Sequence, residues 1–160
     1  MPRRPAGDVL ILNAAAEQAM KVHAESGYPR EVCGLLVGRV DSAGGARRVL
    51  EATQAANLNR ERARDRYDLD PADYLRIESD ARARRLEVLG VYHSHPDHPS
   101  APSETDRLRA EEIWQEAVSW SYLILEVASG NLASRRSWVL RERAFQEEEI
   151  RVDASGAGSL

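Results

Sequence analysis

Residues 91–106 read VYHSHPDHPSAPSETD and gather side chains able to hold a metal and move protons. His93 and His95 stand two apart at the end of an apolar run, LEVLGVY. Residues two apart in a strand share a face, so the two imidazoles converge on one point while Ser94 projects to the other side. Pro96, Pro99 and Pro102 stiffen the loop after the histidines. The chain then enters a helix at Ser103, with Asp106 on its first turn. A carboxylate there completes a His93/His95/Asp106 set that leaves one position of a tetrahedral zinc ion open, the pattern of a catalytic rather than a structural site. Such an ion brings the pKa of water toward ~7 and polarises a carbonyl. The chemistry also needs a carboxylate as proton shuttle and a donor for the developing oxyanion, for which Ser103 offers a hydroxyl. Each part has a plainer reading. S-x-x-D at a helix start is a capping box, and two histidines at a strand end can be satisfied structural groups. The combination of H-S-H, seven residues and S-x-x-D is more demanding than either part and favours the metal site.

The flanking sequence supplies elements to carry these residues. DVLILN reads as a short strand, and Asn13 caps a helix with Ala16, Ala19, Met20 and His23 on one face. Gly27, Tyr28 and Pro29 end that helix. VCGLLVGRVD (32–41) and RRVLEATQAANL (47–58) flank the turn SAGGA as two antiparallel strands. NRERARDR (59–66) is charge-dense and reads as a solvated loop. PADYLRIESDARARR is a helix with Pro71 in its first turn, and LEVLGVYHSH a buried strand. SETDRLRAEEIWQEAV reads as a helix, and SYLILEVAS, SWVLR and FQEEEIRV as three strands. Without strict βαβ alternation, this order predicts an α+β fold, or α-β-α layers around a mixed sheet. MPRRPAG and ASGAGSL lack periodicity, so the expected domain covers 8–152 with flexible termini at 1–7 and 153–160.

Composition narrows the function. With 160 residues the chain has the size of one domain. Cys33 is the sole cysteine, which excludes an intramolecular disulfide and a CxxC knuckle and leaves His, Asp and Glu as metal ligands. It also suits a reducing cytoplasm. The net charge is −4, with 22 basic residues interleaved among 26 acidic ones, which argues against nucleic acid as a ligand. No segment reads as a secretory signal or as the roughly 20 apolar residues that span a bilayer. The expectation is a soluble, cytoplasmic protein acting on proteins or small molecules. His98 and Asp97 read as solvated loop residues, Cys33 as a small buried hydrophobe and His23 as a packed core residue. Trp114, Trp120 and Trp138 read as packing residues.

Read with YPREVCGLLVG (28–38) upstream, the H-S-H-x(7)-S-x-x-D pattern resembles the JAMM or MPN+ metalloproteases. The likeness extends over most of residues 8–150, including Asn57 before a variable loop and the segment YDLDP, and it is nearest to the stand-alone prokaryotic members. The resemblance implies a cytidine-deaminase-like MPN fold with a mixed, mostly antiparallel sheet flanked by helices. It implies one Zn2+ per chain on His93, His95 and Asp106, Glu31 as general acid/base and Ser103 as oxyanion stabiliser. Spacing alone does not single out Glu31 among the acids. The implied activity is hydrolysis after the C-terminal Gly-Gly of a ubiquitin-like or sulfur-carrier protein, as deconjugation or tail trimming. A close variant releases cysteine or another amino acid from a sulfur carrier, and a non-catalytic MPN scaffold is the alternative from another class. A DNA-associated role like that of the RadC group conflicts with the acidic balance. The short connections at 58–71 and 95–103 argue against stringent poly-ubiquitin linkage selection. SYLILEVAS and the amphipathic helices offer a surface on which two copies could pair as a homodimer.

Overall fold

Side-chain caps and turns set the element boundaries that the sequence marks most clearly. Asn13 Oδ1 accepts the Ala15 N–H at 2.7 Å, so strand β1 (Val9–Asn13) passes directly into helix α1 (Ala14–Gly27). Asp70 does the same for Ala72 at 2.9 Å, ahead of Pro71 at the start of α2 (Pro71–Ala83). The remaining elements of the computed structural model are β2 (Cys33–Val40), β3 (Arg47–Ala55), β4 (Glu87–Pro96), α3 (Glu104–Ile113), β5 (Ser121–Ala128), β6 (Asn131–Arg141) and β7 (Ala144–Asp153). The structure describes residues 9–41, 45–113 and 120–154. Residues 42–44 of the expected turn, the expected flexible ends at 1–7 and 155–160, Trp114 and the last part of the expected third helix lie outside the described residues, whereas Asp153, expected in the flexible C-terminus, is the last residue of β7 and pairs with Asn13.

The fold is a mixed α/β fold with helices packed on both faces of its strands, and its sheet closes on itself, a closure the sequence reading did not include. The strands run in the order β1-β3-β2-β4-β5-β6-β7 around a closed barrel. β1 makes the closure, pairing in parallel with β3 through Leu10↔Arg47 and with β7 through Leu10↔Ile150. The pairs β2/β3, β2/β4, β5/β6 and β6/β7 are antiparallel, and β4/β5 is parallel. Closure satisfies backbone groups that an open sheet would leave along its edges. A buried charge cluster joins strands on both sides of β1. Arg47 of β3 pairs with Glu148 of β7 at 2.5 Å, and the other Glu148 oxygen accepts from Ser121 at 2.6 Å and Ser137 at 2.7 Å.

Alternate residues of the same strands build two cores. Leu10, Leu12, Leu36, Tyr92, Leu123 and Leu125 pack with Met20 and Ala24 of α1. Cys33, Leu35, Val37, Val91 and Tyr122 face the other way, toward Ile77 and Ala81 of α2 and Ala110 of α3. Gly34 admits the Tyr92 ring, since a Cβ there would overlap both that ring and the Thr53 carbonyl. The apolar run of β5 is core of this chain, with Leu123, Ile124 and Leu125 at most 1% exposed, so it offers no free surface for pairing with a second copy. No helix among the described residues is long and apolar enough to cross a membrane.

Candidate metal centre

The antiparallel pairing of β2 with β4 aligns Cys33 with His93, so the residues just before Cys33 arrive beside the end of β4. Ser94 makes the junction. Its N–H donates to the Val32 carbonyl at 3.1 Å, and its hydroxyl accepts the Val32 N–H at 2.9 Å. Ser94 is thus the buried partner of the segment that carries Glu31. A second tie comes from Asn57, whose amide group donates to the carbonyls of Glu31 (3.0 Å) and Arg66 (3.1 Å). Its oxygen accepts from the N–H groups of Asn59 (2.9 Å) and Asp68 (2.8 Å).

Held this way, Glu31 is buried at 4% exposure, and ligand atoms of Glu31, His93 and His95 lie within 4.8 Å of one another. The two histidine Nε2 atoms are 3.1 Å apart. Asp106 meets both, with carboxylate oxygens 3.4 Å from His93 Nε2 and 3.2 Å from His95 Nε2. The five residues named from the sequence therefore occupy one place. Ser103 also caps α3: its hydroxyl accepts the Asp106 N–H at 3.0 Å, and its own N–H donates to Asp106 Oδ2 at 2.9 Å. The capping hydrogen bonds and the place of Asp106 beside the histidines are compatible. The cap aims the Asp106 carboxylate at the imidazoles and leaves the Ser103 O–H able to donate.

The chemistry of this donor set fits a cation. His95 Nδ1 lies 2.8 Å from the Pro99 carbonyl, an acceptor only, so Nδ1 carries a proton and, in the neutral ring, the Nε2 lone pair faces His93 and Asp106. Tyr67 stacks on His93 with ring centroids 4.5 Å apart and orients the second imidazole. Lone pairs of a carboxylate and an imidazole then point at a common centre and require positive charge between them. The titration behaviour agrees. Burial pulls the His95 pKa down, but the Asp106 hydrogen bond, the Pro99 carbonyl and the charges of Asp106 and Glu31 outweigh it and raise it above the ordinary imidazole value. Burial pushes Asp106 up, but the His93 charge and hydrogen bonds from His93, His95 and the Ser103 N–H hold it well below the usual carboxylate range.

Two cavities meet at this centre. A polar cleft of roughly 390 Å3 is lined by Glu31, His95, His98, Ser103, Arg62 and Arg66. On the other side an apolar pocket of roughly 430 Å3 runs over the sheet between α2 and α3, with His93 and Asp106 at its wall among Leu35, Tyr67, Tyr74 and Trp120.

The secondary candidates take varied places around the centre. His98 is exposed and lines the cleft. Asp97 is exposed but is not merely solvated, because it accepts from the Tyr28 hydroxyl at 2.6 Å and the Ser129 N–H at 2.9 Å. Cys33 is fully buried, and His23 is half-buried with Nδ1 2.7 Å from the Tyr92 hydroxyl. Sequence reasoning missed Ser94, Tyr67 and the clasp made by Asn57. Only Asn57 carries a local signal, as an Asx residue ahead of a loop.

Known proteins resemble this chain over most of its length. The model for prokaryotic homologs of the JAB domain matches residues 13–141. A desampylase of Haloferax volcanii is 33% identical over 149 residues, covering 90% of this chain and 96% of that protein. A CysO-cysteine peptidase of Mycobacterium bovis is 27% identical over 144 residues, covering 90% and 91%. The solution structure of protein DSY2949 from Desulfitobacterium hafniense superposes with a TM-score of 0.76 at 30% identity, covering 90% of this chain and 92% of that one. A match over most of the chain, with the motif residues gathered at one centre, identifies this chain as a member of the prokaryotic JAB-domain family.

Proposed function

We propose that this protein is a zinc-dependent peptidase or isopeptidase that hydrolyses the bond after the C-terminal Gly-Gly of a ubiquitin-like or sulfur-carrier protein. The observation that carries the reading is the convergence of Glu31, His93, His95 and Asp106 beside a cleft open to solvent. His93, His95 and Asp106 would hold one zinc per chain, a borderline cation that suits two imidazoles and a carboxylate. In that place the ion supplies Lewis acidity toward a carbonyl and a water molecule.

Everything else falls to the chain's own side chains. Glu31 takes a proton from the attacking water as its oxygen adds to the scissile carbonyl carbon, and passes that proton to the nitrogen as the C–N bond breaks. The products are a carboxylate on the tail and a free amine. The Ser103 hydroxyl donates to the carbonyl oxygen as it gains charge. Glycines suit such a site, because a tail without side chains passes where bulkier residues would not. The catalytic unit is the 8–152 domain, working in the cytoplasm in a cytidine-deaminase-like arrangement. Release of an amino acid from a carrier is the second reading, favoured by the relative named a CysO-cysteine peptidase. The scaffold alternative is disfavoured by the intact donor set.

The test is mass spectrometry of products after mixing the zinc-loaded protein with Gly-Gly carriers that bear C-terminal extensions or lysine-linked adducts. Cleavage directly after Gly-Gly, absent in Glu31→Ala, is expected. No cleavage of any carrier by zinc-bound protein overturns the proposal.

A further inference from the structure

The charged groups on the outer wall of the polar cleft are not equivalent. Arg62 grips Asp65 through Nη2–Oδ2 at 2.5 Å and Nε–Oδ1 at 3.3 Å, so these two neutralise each other. Arg66, half-buried in the same wall, makes no side-chain hydrogen bond or ion pair among the described residues and acts on Asp65 only through a longer-range pull. The cleft therefore carries one guanidinium not committed to a carboxylate.

Its backbone is held close to Glu31. The single NH2 group of Asn57 bridges the carbonyls of Glu31 and Arg66. The Arg66 N–H also donates to the Arg62 carbonyl at 2.8 Å, and Ala63 accepts the Glu31 N–H, so the loop that bears Arg66 is tied to the segment that bears Glu31. NRERARDR is thus more than a solvated loop.

The leaving nitrogen receives its proton from Glu31 in the proposed mechanism, so the leaving residue lies on this side of the centre. An α-linked amino acid carries its carboxylate on the carbon next to that nitrogen. A lysine joined through its side chain keeps its backbone several carbons away, with no free carboxylate inside a folded protein. A planar guanidinium matches a carboxylate in two parallel hydrogen bonds. We infer that Arg66 binds the free α-carboxylate of the residue leaving from the Gly-Gly tail, so that the preferred substrate is a carrier bearing one terminal amino acid rather than a lysine isopeptide. This inference rests on the proposed function and selects among the bonds that reading admits.

The experiment compares three substrates on one Gly-Gly carrier: a terminal amino acid with a free carboxylate, the same residue as its C-terminal amide, and a lysine ε-linked adduct. The zinc-loaded protein should show kcat/KM for the free acid about 10- to 100-fold above the amide, the size of a lost charged hydrogen bond. In Arg66→Gln that ratio should collapse toward 1 with zinc content and Tm retained, and Arg66→Lys should restore part of it. A ratio near 1 in the unaltered protein, a ratio unchanged in Arg66→Gln, or a faster lysine adduct would each overturn the inference. Failure to hydrolyse all three would instead overturn the proposed function, and the inference with it.

Discussion

Two faces of the same strands are equally buried yet do different work. On the α1 side Leu36, Tyr92, Leu123 and Leu125 fill the space between sheet and helix, and all are at most 1% exposed. On the other side Leu35, Val91 and Tyr122 line a roughly 430 Å3 pocket that reaches His93 and Asp106. His93 itself is 1% exposed. Burial therefore does not separate structural from chemical residues here. The difference lies in what each side chain meets: close apolar packing on one face, and on the other a cluster of lone pairs between two cavities. The α1 face provides the rigidity that keeps the opposite donors a few ångströms apart.

If this division is right, the two faces should fail in opposite ways. The largest effect is expected from Glu31→Gln. Loss of the proton shuttle should lower kcat by about 10²–10⁴-fold, while metal content by elemental analysis and Tm by calorimetry stay near those of the unaltered protein. Normal turnover in this variant would remove Glu31 from the mechanism and blur the contrast.

Metal retention should depend on pH with a definite sign. Ligands bind metal deprotonated, and in the metal-free protein the His95 pKa lies above its ordinary value of about 6.5. Protons then compete for the ring nitrogen as pH falls through that raised range, so the apparent metal affinity should weaken as pH falls. Competition with a chelator at stepped pH measures this, and an apparent affinity that does not change with pH would contradict it.

On the opposite face, Leu125→Ala should destabilise the fold by about 2–5 kcal/mol through lost burial and a cavity. Below its lowered Tm its kcat should match that of the unaltered protein. Denaturant unfolding and kinetics on one sample decide the point, and a large kcat loss in the folded variant would show that the faces are coupled. Ser94→Ala sits between the two cases. It removes the acceptor of the Val32 N–H, at a cost of about 1–3 kcal/mol, and a modest kcat loss should accompany it because Val32 adjoins Glu31.

Local patterns are legible wherever one residue and its near neighbours suffice. The period of a strand puts His93 and His95 on one face, and S-x-x-D marks both the start of α3 and its inward carboxylate. Asn13 and Pro71 announce their helices. β6 is longer than its sequence suggests, because only SWVLR is apolar. Its first half, from Asn131, alternates between exposed and half-buried positions and looks polar. The turn into β7 gives no warning either, since Glu142 and Arg143 take φ values of 49° and 67° where glycine or asparagine is the usual signal.

By itself the sequence determined which groups could hold a metal and which short elements would carry them, because those depend on spacings of two to four residues. Residue spacing did not single out Glu31 among the 26 acids; the family resemblance implied it, and the tertiary structure brings it beside the histidines. Glu31 reaches them through the β2/β4 register, through Asn57 on its carbonyl and through Ser94 on Val32, a contact that spans 62 positions of chain. The closing of the sheet by β1 and the pairing of Arg47 with Glu148 are of the same kind. Alternation along a strand states which face a residue takes but not which strand lies next to it, and that choice is made by burial and hydrogen bonding summed over the whole fold.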